Sequence, residues 1–190
     1  EDVFQDCLAV CTAEFIRIAK PQAHLYWFCD LDKFHSSRAL FERSGWWVHR
    51  TPLVWSKPQA TRVPWPEHGP RRTYELILFA VKGKRTINLL APDVLTFNPD
   101  KNLGHSAQKP VALFAELLRR SARPGDAVLD PFGGSGTLLP AAHSANAGLP
   151  VAMVPSMPGS ICTNDDTPPR TPCSKNPAPD WSPRSSSASA

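Results

Sequence analysis

The residues best suited to chemistry lie in a glycine-rich turn at 128–137, which reads Val-Leu-Asp-Pro-Phe-Gly-Gly-Ser-Gly-Thr. The apolar residues before it predict a short strand that delivers Asp130 into the turn, and the residues after Thr137 predict a helix. In open α/β sheets, small-molecule sites lie at such strand ends. Glycines let the backbone approach a ligand closely, and the first N–H groups of a helix favour a carboxylate. The turn therefore predicts a ligand site.

Two nucleotide-binding patterns fit this turn poorly. A phosphate-binding P-loop needs Gly-Lys-Ser/Thr, but Gly136 is followed directly by Thr137. A dinucleotide-binding turn needs a further glycine where Leu139 stands. For this segment alone, a purely structural strand-to-helix turn stays open as the alternative.

A second segment, residues 104–110, precedes the turn and reads Gly-His-Ser-Ala-Gln-Lys-Pro. In this order the two segments resemble the cofactor half of the N-4/N-6 amino DNA methyltransferases, and phage-encoded members are the most similar. Residues 55–57 (Trp-Ser-Lys) and 74–83 (Tyr-Glu-Leu-Ile-Leu-Phe-Ala-Val-Lys-Gly) resemble the later part of that family's catalytic half. The resemblance covers residues 1–146.

The resemblance implies S-adenosyl-L-methionine as cofactor, double-stranded DNA as partner, and methyl transfer to the exocyclic amino group of adenine or cytosine. The residues that would line the methionine side of the cofactor are Asp130, Phe132, Gly134, Ser135, Gly136 and Thr137. The residues that would close over it are His105, Ser106, Gln108 and Lys109. For each polar member the alternative is an ordinary loop, capping or solvated role.

The element that binds the target base in this family, Ser/Asp/Asn-Pro-Pro-Tyr/Trp, does not occur in the sequence. It would hold the amino group of a flipped base and stack an aromatic ring on it. In the family's permuted order it precedes the first helix, so we expect a truncated chain that lacks a strand between the cofactor strand and residues 25–28. Pro155 and Ser156 stand where the family places an acidic ribose ligand, which suggests a frameshift. We therefore predict no catalytic residue in this chain, and methyl transfer as the activity of the intact parent protein.

Two loops separate the halves at the place where the family keeps its target-recognition element. Basic side chains there could neutralise phosphates, and one tryptophan could stack on an unpaired base. The predicted DNA-binding residues are Arg62, Trp65, Arg71, Arg72, Lys84 and Arg85. The alternative is a solvated basic loop with Trp65 packed against the protein.

The rest of the chain alternates helices and strands, as in a doubly wound α/β sheet. Apolar spacing predicts four helices: one over 3–19, a second that ends at Ser44, a third that begins at Pro110, and a fourth over 137–146. Strands are predicted at 23–29, 46–55, 73–81, 127–130 and 151–154, the first of them covered on both faces of a parallel sheet. The fold class is an incomplete Rossmann-like methyltransferase α/β sheet with helices on both faces, plus a disordered C-terminal tail.

The predicted domains are a partial methyltransferase domain at 1–154 and a Pro/Ser-rich tail at 155–190. The domain divides into a catalytic-half remnant (1–56), a target-recognition region (57–104) and a cofactor half (105–154). A formal charge of +4 permits nucleic acid without demanding it. No apolar run could span a bilayer and the cysteines form no zinc pair, so we expect a cytoplasmic protein without a metal. The alternatives are an inactive DNA-binding or cofactor-binding remnant and an unrelated α/β fold.

Overall fold

A computed structural model describes residues 3–58, 69–100, 108–145 and 150–153. The described residues form four helices and seven strands. In chain order these are α1 Val3–Ile18, β1 Ala23–Cys29, α2 Leu31–Arg43, β2 Trp47–Val48, β3 Leu53–Ser56, β4 Tyr74–Lys82, β5 Val94–Thr96, α3 Val111–Ser121, β6 Val128–Asp130, α4 Leu138–Ala145 and β7 Val151–Met153. The predicted tail lies outside the described residues, and its disorder and the domain boundaries stay predictions.

The main sheet is built around β4, which pairs with three other strands. β1 and β3 flank it in antiparallel register, with Tyr26 opposite Phe79 and Trp55 opposite Glu75. The short β2 also pairs with β4, and β5 joins β3 in parallel. The prediction that β1 lies in a parallel sheet is therefore wrong for its pairing with β4. It arose because a strand buried on both faces shows the same continuous apolar run whichever direction its neighbour takes.

Alternate residues of β4 face two different helical layers, because side chains of a strand alternate between the faces of the sheet. Leu76, Leu78 and Ala80 pack with α1 and α2 on one face. Ile77 packs on the other face with Leu113 of α3. Helices thus cover both faces of the main sheet, as the sequence predicts.

A second, two-stranded sheet carries the predicted cofactor strand. β6 and β7 pair in parallel, with Val128 opposite Val151. Helices α3 and α4 pack with this sheet through Leu118, Leu138 and Ala141. Because α3 also packs on the main sheet, this one helix contacts both sheets.

The facing edges of the two sheets carry no strand partner within the described part of the chain. β1 ends the order of the main sheet, and β6 pairs with β7 alone. This is where the sequence predicts a missing strand. Across the gap, the rings of Trp27 and Phe132 meet edge to face, with centroids 5.7 Å apart.

Two elements differ from the sequence prediction. The strand expected over 46–55 is divided into β2 and β3, and β5 lies in a stretch that the pattern indicated to be irregular. None of the described helices is both long enough and apolar enough to cross a membrane.

Candidate functional site

The glycine-rich turn has the geometry that the sequence predicts for the end of β6. The Asp130 carboxylate accepts a hydrogen bond from the backbone N–H of Phe132 at 3.0 Å, which holds it against the turn. Gly134 and Gly136 have φ of +46° and +75°, a region that side chains with a Cβ rarely adopt. The Gly136 N–H donates to the Gly133 carbonyl at 2.7 Å. The turn is a tight backbone loop that leads directly into α4.

The two hydroxyls of the turn lie at the amino end of α4. Ser135 Oγ and Thr137 Oγ1 are 3.0 Å apart, with Thr137 buried and Ser135 exposed. The first N–H groups of a helix are unsatisfied within it and give its start a partial positive charge. The turn therefore presents a carboxylate, a hydroxyl and a helix amino end to one neighbourhood.

Lys109 belongs to the second predicted segment. It lies at the face of β1 opposite to the one that carries Trp27, the residue that Phe132 contacts. Its ammonium group is 3.1 Å from Glu75 Oε2 and 5.4 Å from the centre of the Phe28 ring. Phe132 of the turn contacts Trp27, the neighbour of Phe28. The two predicted cofactor segments thus contact adjacent residues of one strand. Gln108 is half-buried beside Lys109, while His105 and Ser106 lie outside the described residues.

Glu75 is a half-buried carboxylate beside Lys109 that the sequence did not single out as a candidate. Its other oxygen accepts a hydrogen bond from Lys57 at 2.8 Å, so that two lysines share one carboxylate. Burial alone would raise the pKa of Glu75, but the charges of Lys109 and Lys57 and their hydrogen bonds outweigh it and lower the pKa. The carboxylate is therefore ionised at neutral pH. Lys57 and Glu75 both stand in the strings that resemble the family, which is the signal that could have found them.

The predicted DNA-binding residues have different environments. Arg71 and Lys84 are exposed, and Arg72 forms an exposed ion pair with Asp30 at 2.8 Å. The Arg85 side chain is 12% exposed, and its guanidinium pairs with Asp126 and donates to the Ser121 carbonyl at 2.6 Å, which leaves it little surface for a phosphate. Arg62 and Trp65 lie outside the described residues. The DNA contacts of all six residues stay predictions.

Residues 94–148 match the family model described as DNA methylase. The chain is also similar in fold to three solved structures that are each less than a quarter identical to it. The M1.HpyAVI-SAM complex has a TM-score of 0.67 at 21% identity, over 80% of this chain and 78% of that one. A second M1.HpyAVI structure has a TM-score of 0.59 at 22% identity, over 77% and 74%. The cytosine-N4-specific PvuII DNA methyltransferase has a TM-score of 0.61 at 15% identity, over 80% and 67%.

Proposed function

We propose that the chain is a member of the DNA methylase family, whose model its residues 94–148 match, and that it binds S-adenosyl-L-methionine at the glycine-rich turn. It is part of an enzyme that methylates the exocyclic amino group of adenine or cytosine in DNA. When bound, the cofactor supplies a methyl group on a sulfonium sulfur. One observation carries the proposal: the matched segment contains both Lys109 and the turn from Asp130 to Thr137, and the two contact neighbouring residues of β1.

The residues of the turn fit such a cofactor. A methionine moiety carries an ammonium and a carboxylate, so it needs an acceptor and donors close together. Asp130 is a carboxylate held in place by the Phe132 N–H. The amino end of α4 suits the carboxylate, and the glycines at positive φ leave room for the ligand against the backbone. By the family resemblance, we propose that Gln108, Lys109, His105 and Ser106 also contribute to the cofactor site.

Methyl transfer itself needs groups that this sequence lacks. A flipped base requires acceptors for its amino group and an aromatic ring to stack on, and the Pro-Pro-aromatic element that supplies them in the family is not in the sequence. The second candidate function is therefore a catalytically inactive remnant that binds cofactor or DNA. Binding and transfer have to be measured separately to distinguish the two.

Titration calorimetry of the 190-residue chain with S-adenosyl-L-methionine tests the cofactor site. We expect saturable binding that weakens at least about tenfold in Asp130→Asn, because the amide removes one charge-assisted contact. Asp6→Asn, an exposed carboxylate on α1, is the matched control and should bind like the unaltered chain. No heat of binding in the unaltered chain would overturn the proposed cofactor. Transfer of a labelled methyl group to DNA would overturn the inactive remnant.

We also propose that Arg71, Arg72 and Lys84 contact DNA phosphates. Phosphate contacts release counterions, so the affinity for duplex DNA should fall steeply as salt rises. Fluorescence anisotropy at several salt concentrations measures that slope. Lys84→Gln should reduce the slope of log affinity against log salt concentration by roughly 0.9, the contribution of one phosphate contact. Binding that does not respond to salt would refute these contacts.

A further inference from the structure

Three charged side chains form a cluster beside the proposed cofactor segment. Glu75 lies between Lys57 and Lys109, at 2.8 and 3.1 Å from their ammonium groups. Both ammonium groups also lie over the Trp55 ring, at 5.0 Å for Lys57 and 5.8 Å for Lys109. We call Lys57, Glu75 and Lys109 the charge cluster.

The two ion pairs of the charge cluster differ in what they connect. Lys57 and Glu75 belong to the same sheet, because Lys57 directly follows β3 and Glu75 lies opposite Trp55 of β3 in register. Lys109 comes from a remote segment that precedes α3. Its pair with Glu75 is thus the ionic contact that ties the segment at 108–110 to the sheet.

Removing the carboxylate would leave two ammonium groups near each other without a counter-charge. The side chains of Lys57 and Lys109 are only 15% and 24% exposed, so water screens their repulsion poorly. Lys57 directly follows β3, whereas Lys109 belongs to no strand, so we expect the Lys109 side chain to be the one displaced. Helix α3 has separate anchors, since Leu113 is fully buried and the Val111 N–H donates to Asp100 at 3.1 Å. The displacement is therefore local.

We propose that Glu75 is a positioning residue for the cofactor site: through Lys109 it holds the segment at 108–109 against β1 in the conformation that binds the cofactor. This rests on the proposed function, in which that segment closes over S-adenosyl-L-methionine. Glu75 itself does not touch the cofactor.

The affinity for S-adenosyl-L-methionine, measured by calorimetry, tests the role. We expect Glu75→Gln to weaken it by about tenfold and Glu75→Asp to restore part of the loss. Lys57→Met keeps the pair between Glu75 and Lys109 and should have a smaller effect. Glu14→Gln, which breaks the exposed pair with Arg17, is the matched control and should leave the affinity unchanged.

A double-mutant cycle with Lys109→Met separates positioning from a general loss of stability. If Glu75 acts through Lys109, Glu75→Gln adds little further loss of affinity in the Lys109→Met chain. Equal fold-losses in both backgrounds would overturn the proposal, as would unchanged affinity in Glu75→Gln.

Amide hydrogen exchange gives a readout that does not need the cofactor. Exchange over residues 108–114 should be faster in Glu75→Gln than in the unaltered chain, while exchange in β4 stays the same. If the unaltered chain binds no cofactor but exchange over residues 108–114 is still faster in Glu75→Gln, the proposed function is overturned and the contact between Glu75 and Lys109 is retained. Normal cofactor binding with unchanged exchange in the variant overturns the positioning role alone.

Discussion

Gly83 follows β4 in a position that no residue with a Cβ can occupy without a local rearrangement. Its φ is +70°, and an added Cβ would lie 2.4 Å from the Pro21 carbonyl oxygen, in the connection between α1 and β1. Real Cβ atoms essentially never come within 3.0 Å of a heavy atom outside their own residue and its two chain neighbours. Gly83→Ala should therefore move backbone rather than a flexible side chain.

Two terms contribute to the loss of stability expected for Gly83→Ala. Positive φ costs about 1–2 kcal/mol for a residue with a Cβ. Forcing extra volume into packed structure costs about 1–3 kcal/mol more. Gly125 separates the terms, because its φ is +83° and an added Cβ meets nothing within 4 Å. Gly125→Ala should thus carry the first term alone, and the two variants should differ by about 1–3 kcal/mol.

Urea denaturation followed by circular dichroism measures both variants. We expect the midpoint to fall in the order unaltered chain, Gly125→Ala, Gly83→Ala, with an unchanged dependence of the free energy of unfolding on urea. Equal losses in the two variants would refute the reasoning, because they would mean that the Pro21 carbonyl moves away without cost.

Three further outcomes are expected. Leu113→Ala should lower the free energy of unfolding by about 2–5 kcal/mol in urea denaturation, because Leu113 is fully buried between α3 and the main sheet. Burial alone would raise the pKa of Asp126, but hydrogen bonds from Arg85 and the Arg123 N–H, with the Arg85 charge, lower it. The ionised Asp126 therefore stabilises the folded chain above its ordinary pKa of 3.8, and this contribution to the free energy of unfolding is lost as the pH falls below that value. Burial, with the Asp30 charge, raises the pKa of Cys29 to about 12, so iodoacetamide should label Cys29 far more slowly than the exposed Cys7, as peptide mass spectrometry would measure.

Each of these outcomes has a control. Leu139 is more than half exposed, so Leu139→Ala should lower the free energy of unfolding only slightly. A decrease equal to that of Leu113→Ala would contradict the burial argument. Asp126→Asn should be less stable than the unaltered chain at about pH 7, the difference should shrink as the pH falls below 3.8, and a constant difference would contradict the linkage. Equal labelling of Cys29 and Cys7 in the native chain would show that the β1 thiol is accessible.

The sequence predicts the helices and the geometry of the glycine-rich turn well because their signals are local. Apolar spacing marks α1 and α3 to within a residue or two, and the glycines of the turn indicate where φ becomes positive. β5 was not predicted because three residues, Val94–Thr96, are too few to show a period. The antiparallel direction of β4 was not predicted because its burial on both faces does not depend on the direction of its neighbours.

The charge cluster could not be predicted from local pattern, because its members come from three separate parts of the chain. Each of the three stands in a string that resembles the family, but nothing in those strings pairs them, and only the register of β3 on β4 and the approach of α3 bring them together. Arg85 is a second residue whose environment could not be predicted from its sequence neighbours. Its sequence neighbours, Lys82 and Lys84, suggest a basic surface for DNA, but its partner Asp126 stands 41 residues away.

The facing edges of β1 and β6 affect how the chain behaves in concentrated solution. Within the described residues, each edge offers a row of backbone donors and acceptors with no neighbouring strand. Leu129 and Phe132 are 45% and 58% exposed beside them. Open edges of this kind are templates for strands from other molecules. Intermolecular pairing there competes with the monomer, so crowding should increase self-association and a strand-forming peptide that covers β1 should suppress it.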